Sequence, residues 1–189
     1  MKRLTDCIIS YIDLIDVKKQ MKENSRRAAK LMSEIHSIVW KTCGSFSCHS
    51  EICFWNDSVL LYAQLRSQTG EHLDIMKEVQ TLKRAIDPKS PSYAICVQGQ
   101  SFPPPEDENN THEHLHFLKA SSYAFSNCSH IEKYLGPVFQ KRWYIDSRIK
   151  KRIRIDATPT KVLFPMWPKR ENRTIFMYDD NIYFTARRT

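Results

Sequence analysis

The chain has 189 residues, of which 41% are apolar and 26% charged, and it carries a formal charge of +8. That is enough chain for one compact domain with its own core, and the composition excludes a disordered polypeptide. No apolar run approaches the length of a membrane-spanning helix, and the positive charge favours anionic partners such as nucleotides, nucleic acid or a membrane surface.

The first sixteen residues, MKRLTDCIISYIDLID, start basic and turn apolar. They lack a small-residue cleavage site, and Asp13 and Asp16 interrupt them, so they read as a first strand rather than a secretion signal. A cytoplasmic location is the expectation. Cys7–Leu14 is nearly continuous in apolar character, as a central strand buried on both faces would be. A helical period follows from Val17 to about Thr42, through Met21, Ala28, Leu31, Met32, Ile35, Ile38 and Val39. Asp16 is placed to cap its start and Gly44 to end it.

Phe46–Trp55 and Ser58–Leu65 then form two apolar runs broken at Asn56-Asp57, the pattern of a hairpin with a tight turn. A second helix spans about His72–Ile86 and stops at Asp87-Pro88-Lys89-Ser90-Pro91, and Ser92–Gln98 is a fourth strand. The order β-α-β-β-α-β predicts an α+β fold with a ferredoxin-like core, both helices on one face of one sheet. Gln100–Glu113, rich in proline and acids, reads as a long loop. A helix around Leu115–Tyr134 follows, with further strands at Lys141–Asp146, Val162–Trp167, Thr174–Tyr178 and Ile182–Thr185 and a last turn at Asp179-Asp180-Asn181. No repeat or second domain is visible, so residues 1–189 are expected to form a single unit.

Other signals are weaker. The six cysteines (7, 43, 48, 53, 96, 128) show no CxxC pair and no zinc spacing, and read as reduced, mostly buried thiols. The histidines of HEHLH (112–116), beside an acidic proline-rich loop, read as a solvated segment. No GxxxxGK[ST] loop exists, which excludes a P-loop enzyme. The basic run Lys150–Arg154 is explained by a solvated strand face. Few aromatics interleave with it, so a nucleic-acid groove is not expected.

The chemistry converges on two acids. In this topology Asp13 ends the first strand and Asp57 sits at the hairpin tip, and the two elements lie side by side at the sheet centre. Paired carboxylates repel unless a proton or cation lies between them, and Mg²⁺ is held by one or two carboxylates together with substrate phosphates. The carbonyl of Leu14 can complete such a shell. The segment Leu14–Lys18, including Ile15, enters a helix whose N–H groups can seat a phosphate. Along the second strand Trp55, Cys53 and Glu51 share the face of Asp57. Trp55 can stack on a base and Glu51 can accept from an exocyclic amine; the alternatives are a core tryptophan, the reading favoured for Trp55, and a surface glutamate.

These residues carry a resemblance. Tyr11–Met21, YIDLIDVKKQM, resembles the first-strand motif of class III nucleotidyl cyclase catalytic domains, and Trp55–Leu61, WNDSVLL, resembles their hairpin motif. The version present is similar to that of the small bacterial pyrimidine cyclases of Pycsar anti-phage systems. The terminal YDDNIYF resembles a closing hairpin of those proteins, and KRWYID (141–146) a strand before it.

The resemblance implies a catalytic site in which Asp13, Leu14 and Asp57 bind two Mg²⁺ or Mn²⁺ ions. A nucleoside triphosphate would be cyclised by attack of its 3′-hydroxyl on the α-phosphate, in a head-to-tail homodimer with shared sites. A uridylate or cytidylate cyclase is implied, because purine-using relatives carry a lysine at the position matching Cys53. The chain departs from the family at two places. Tyr93-Ala94-Ile95-Cys96 stands where Arg-Gly-Gly-Ile is common. The later helix lacks the arginine that stabilises the transition state, its family positions falling on Ser122 and Ser126 or on Ser126 and His130. Asn127 or His130 is the candidate catalytic replacement, with Arg142 or Lys161 for the phosphates. A cyclase-like binding domain without turnover is the competing reading, and a basic RNA-binding module a third.

Overall fold

A computed structural model of the protein describes residues 5–15, 17–46, 50–55, 57–66, 68–101, 122–168 and 171–187, and only the backbone at Lys18 and Trp55. The strands are β1 (Thr5–Leu14), β2 (Ser50–Trp55), β3 (Ser58–Gln64), β4 (Ser92–Ser101), β5 (Trp143–Asp146), β6 (Ile153–Ile155), β7 (Thr160–Met166), β8 (Glu171–Tyr178) and β9 (Phe184–Ala186). The helices are α1 (Val17–Glu23), α2 (Ser25–Cys43), α3 (Glu71–Ile86), α4 (Tyr123–Phe139) and α5 (Ser147–Lys150). The main sheet runs β2-β3-β1-β4-β5-β8-β7, while β6 and β9 pair as a separate ribbon. Its first four strands are antiparallel neighbours in the ferredoxin-like order, so the α+β expectation holds.

The centre of the sheet explains the unbroken apolar run of β1. Ile8, Ile12 and Leu14 enter one core with Ile35 and Val39 of α2 and Ile75, Val79, Leu82 and Ile86 of α3. Cys7, Ile9 and Tyr11 face the opposite way, against Ala124, Cys128, Ile131 and Leu135 of α4. That α4 set recurs every three or four residues, so one stripe of the helix is buried. Burial of an aliphatic side chain such as Ile131 contributes roughly 1.5–3 kcal/mol. The start of α4 sits tightly on β4. A Cβ at Gly99 would lie 3.0 Å from the backbone nitrogen of Ala124, so a larger residue there would push the start of α4 off β4.

The structure corrects several expectations. The single helix from Val17 is two helices, because Asn24 leaves the helical conformation and its side chain accepts from Arg27 N at 3.0 Å, capping α2 afresh. The helix predicted from Leu115 is described from Tyr123, where Ser122 caps it by accepting from Phe125 N (3.0 Å), and it continues to Phe139. YDDNIYF does contain a turn, with Asn181 at φ 67°, but it closes no hairpin. β8 pairs with β5 and β7, whereas β9 crosses away to pair with β6. The basic run is not one strand face: Lys150 ends α5, Lys151 and Arg152 turn, and β6 buries Ile153 and Ile155 with Arg154 outward. Asp16, Cys48 and the HEHLH histidines lie outside the described residues.

Candidate active site

The hairpin register builds the site. Trp55 pairs with Ser58, which puts Asp57 in the turn of the hairpin, and Ser58 in turn pairs with Asp13 of β1. Leu14 N donates to Asp57 O at 3.2 Å, tying the turn to the end of β1. Asp13 and Asp57 are each only 6% exposed. Among the described residues neither carboxylate has an ion-pair partner, although the chain is rich in cations.

Hydroxyls surround Asp13 instead. Ser58 Oγ donates to Oδ1 at 2.5 Å and Tyr93 Oη donates to Oδ2 at 2.8 Å. Tyr11 Oη lies 2.7 Å from Ser58 Oγ. Ser58 has a single proton, committed to Asp13, so Tyr11 is the donor in that contact. Burial raises the pKa of Asp13, the Ser58 and Tyr93 hydrogen bonds oppose this, and the charges of Asp57 and Glu132 add to the rise. Both phenols are held protonated, Tyr11 and Tyr93 being raised first by burial. Tyr93 also packs edge-on against Tyr144, ring centroids 6.3 Å apart, which fixes its aim.

Two buried carboxylates, hard oxygen donors with no ion-pair partner among the described residues, suit a divalent ion such as Mg²⁺ or Mn²⁺. No third acid, histidine or cysteine joins them in a ligand cluster among the described residues. This is the composition expected where substrate phosphates supply the remaining ligands.

The other candidates are distributed more widely. The amides of Leu14 and Ile15 are already donated, to Asp57 O and to Pro91 O (2.8 Å), so any phosphate seat in this segment lies further into α1. The side chains of Lys18 and Trp55 lie outside the described residues. Glu51 is exposed, while Cys53 is half-buried against the α4-side core, its thiol pKa raised by burial. Arg142 points to Asp180, Nε to Oδ2 3.5 Å. Lys161 lies over the Phe176 ring at 5.8 Å, on β7.

Asn127 is 1% exposed and its amide is used at both ends: Nδ2 donates to Trp167 O (3.1 Å) and Oδ1 accepts from Trp167 N (2.8 Å). It staples α4 to the end of β7. His130 is half-buried, its ring 6.4 Å from that of Trp167. The structure adds four residues to the site: Tyr11, Ser58, Tyr93 and Glu132. Tyr11 was legible as the residue two before Asp13, on the same strand face. Tyr93 stood out only as a departure from a motif, and nothing local marked Glu132, which α4 brings across from elsewhere in the chain.

The ferredoxin-like core extended by β5, β8 and β7 is a fold shared with solved nucleotidyl cyclase structures. Among solved structures the chain is similar to the guanylyl cyclase Cya2, with TM-score 0.56 and 11% identity over 93% of this chain and 92% of that one. It is similar to the adenylyl cyclase CyaB from P. aeruginosa, with TM-score 0.55 and 10% identity over 95% and 96% of the two chains. The guanylate cyclase domain of RhGC from Catenaria anguillulae, in complex with GTP, gives TM-score 0.51 and 8% identity over the whole of both chains. No family model matches the sequence, and no curated protein does. No helix among the described residues is long and apolar enough to cross a membrane.

Proposed function

We propose that the protein is a metal-dependent nucleotidyl cyclase that converts a pyrimidine nucleoside triphosphate, UTP or CTP, to its 3′,5′-cyclic monophosphate and pyrophosphate. The observation that carries this reading is the pair Asp13 and Asp57, two buried carboxylates with no ion-pair partner among the described residues, on a cyclase fold. Asp13, Asp57 and the carbonyl of Leu14 would hold two Mg²⁺ or Mn²⁺ ions. Bound there, the ions would lower the pKa of the attacking 3′-hydroxyl and neutralise the leaving pyrophosphate.

The chain's own residues contribute placement. The Tyr11–Ser58 and Tyr93 hydroxyls orient the Asp13 carboxylate, and the raised phenol pKa values keep both tyrosines as donors rather than competing anions. Leu14 N holds the hairpin tip against β1, which fixes Asp57. Burial excludes water from both acids and strengthens their pull on a cation. Cys53 in place of a base-reading lysine supports a pyrimidine over a purine. The Pycsar-like form of YIDLID and WNDSVLL supports a cytoplasmic role in making an anti-phage signal. A head-to-tail homodimer with shared sites is part of the reading, supported by exposed apolar residues on α4, Tyr134 at 56% and Val138 at 70%.

One observation favours a second reading, a nucleotide- or protein-binding domain without turnover. Asn127 spends its whole amide on the Trp167 backbone, and α4 carries no arginine. The deciding experiment incubates the dimer with each of the four ribonucleoside triphosphates and Mn²⁺ and resolves products by chromatography and mass spectrometry. A cyclic pyrimidine monophosphate that disappears in Asp57→Ala is the expected result. Metal-dependent nucleotide binding with no product from any triphosphate supports the binding domain instead.

A further inference from the structure

A second concave site lies away from the acid pair. A cavity of about 680 Å³ is lined by Arg148, Lys150, Lys151, Arg154, Arg173 and Arg187, with Glu171 the one carboxylate in its wall. It opens at the β6, α5 and β8 end of the molecule. Arg173 donates to the carbonyl of Gln98, which stands on β4 five residues from Tyr93, roughly 17 Å along the strand. Phe176 and Ile153 of the cavity wall belong to the core under α2 and α3, whereas Tyr11 and Tyr93 beside Asp13 belong to the α4 side. By strand register the cavity and the acid pair lie at opposite ends of the sheet.

The cations are only partly neutralised from within: Asp146 pairs with Arg173 and Glu171 with Arg148, two acids against six cations among the described residues. Glu171 is 3.3 Å from Arg148 and 3.9 Å from Arg173 Nε, and Arg187 Nη1 donates to the carbonyl of Lys151. Arg173 has 9% side-chain exposure. Its Nη1 serves Gln98 O and Asp146, but its buried Nε has no hydrogen-bond acceptor. Lys150 feels the crowding: burial, then the charges of Arg187, Arg154 and Lys161, lower its pKa. Like charges gathered around a concavity, with an unsatisfied buried guanidinium N–H in its wall, describe a site whose counter-charge comes from outside. The volume suits a small ligand. An extended single-stranded nucleic acid would call for stacking platforms, and the one aromatic of the wall, Phe176, already carries Lys161 over its ring.

We propose that this cavity binds a small molecule bearing two or more phosphate groups, at a site separate from the paired acids. The test is calorimetric titration of the full chain with inorganic tripolyphosphate at physiological salt, with EDTA present so that no metal can support binding at Asp13 and Asp57. Saturable binding is expected, with unchanged affinity in Asp57→Ala. Lys150→Glu and Arg154→Glu should each weaken it on the order of tenfold or more, the effect of losing a charged contact. Both side chains stand outside the buried core, and circular dichroism would verify that the variants fold. Three results overturn the proposal: no saturable heat with folded wild-type protein, an affinity indifferent to both charge reversals, or binding abolished by Asp57→Ala. Tight binding of a short single-stranded RNA that tripolyphosphate does not displace also overturns it, and assigns the surface to nucleic acid.

Discussion

Asp13 and Asp146 are both buried at the C-terminal ends of interior strands, and they are satisfied in opposite ways. Asp146 is fully buried, 2.8 Å from Arg173 Nη1, and accepts from Arg148 N at 3.1 Å and Gln98 N at 3.3 Å. A cation and two amides surround it, and it joins β4, α5, β5 and β8. Among the described residues Asp13 has only hydroxyl donors, and the charges of Asp57 and Glu132 resist its ionisation. A buried acid that the fold neutralises is part of the scaffold. A buried acid that the fold leaves beside other acids has the surroundings in which a partner from outside the chain would be stabilising.

This contrast predicts which property each residue controls. The largest effect is on turnover. Asp13→Ala or Asp57→Ala should lower cyclic nucleotide formation on the order of a thousandfold while the protein remains folded, as activity assays and circular dichroism on the same samples would show. Asp146→Ala should do the reverse to the scaffold. It strands a buried Arg173 and should cost about 3–5 kcal/mol in chemical denaturation. Asp146→Leu combined with Arg173→Met, which removes both charges, should recover most of that loss. If the double variant is as unstable as the single one, the pair is not the reason Asp146 is buried.

Tyr93→Phe tests the hydroxyl shell. It removes one donor to Asp13 and leaves the ring packing on Tyr144. Apparent Mn²⁺ affinity, read from metal-dependent thermal stabilisation, should fall about 10–100-fold, as when a partner of a metal ligand is lost. An unchanged affinity would mean that Tyr93 only packs.

The smallest effect is a pH slope. The native state raises the pKa of Asp13 above its ordinary value of 3.8, so between these two values the folded chain binds a proton that the unfolded chain has released. Stability of the metal-free protein from this group is therefore present at low pH and lost as pH rises through the native pKa. Asp13→Asn should flatten that part of the stability profile and be more stable than wild type at neutral pH without metal. A steeper fall in the variant would contradict the assignment. Asp146→Asn offers the contrast, since it breaks an ion pair and should destabilise at neutral pH.

Much of the fold was readable one segment at a time. Apolar continuity marked β1 as central, the Asn56-Asp57 break placed the hairpin turn, and helical periodicity found α3 to within a residue. These signals are local because side-chain spacing reflects which faces are buried. The same logic failed at Asn24, where a capping side chain outweighed a period that continues through it. It failed again at Lys150–Arg154, where a four-residue helix, a turn and a three-residue strand are too short to show a period at all. The partner of β9 was also out of reach, because a turn sequence specifies a bend and not which strand lies beyond it.

By itself the sequence determined the β-α-β-β-α-β order of the first half and singled out Asp13 and Asp57 as candidates, since hydrophobic pattern and turn chemistry are written in neighbouring residues. Only the tertiary structure decided what surrounds those acids. Tyr93 reaches Asp13 because β4 pairs with β1, Glu132 because α4 crosses that face, and Asn127 is withdrawn because Trp167 occupies its amide. It also gathered six cations from α5, β6, β8 and the chain beyond β9 around one cavity, far from the acids. Charge and hydrogen bonding act through distance in space, and residues remote in sequence are brought within that distance only by folding.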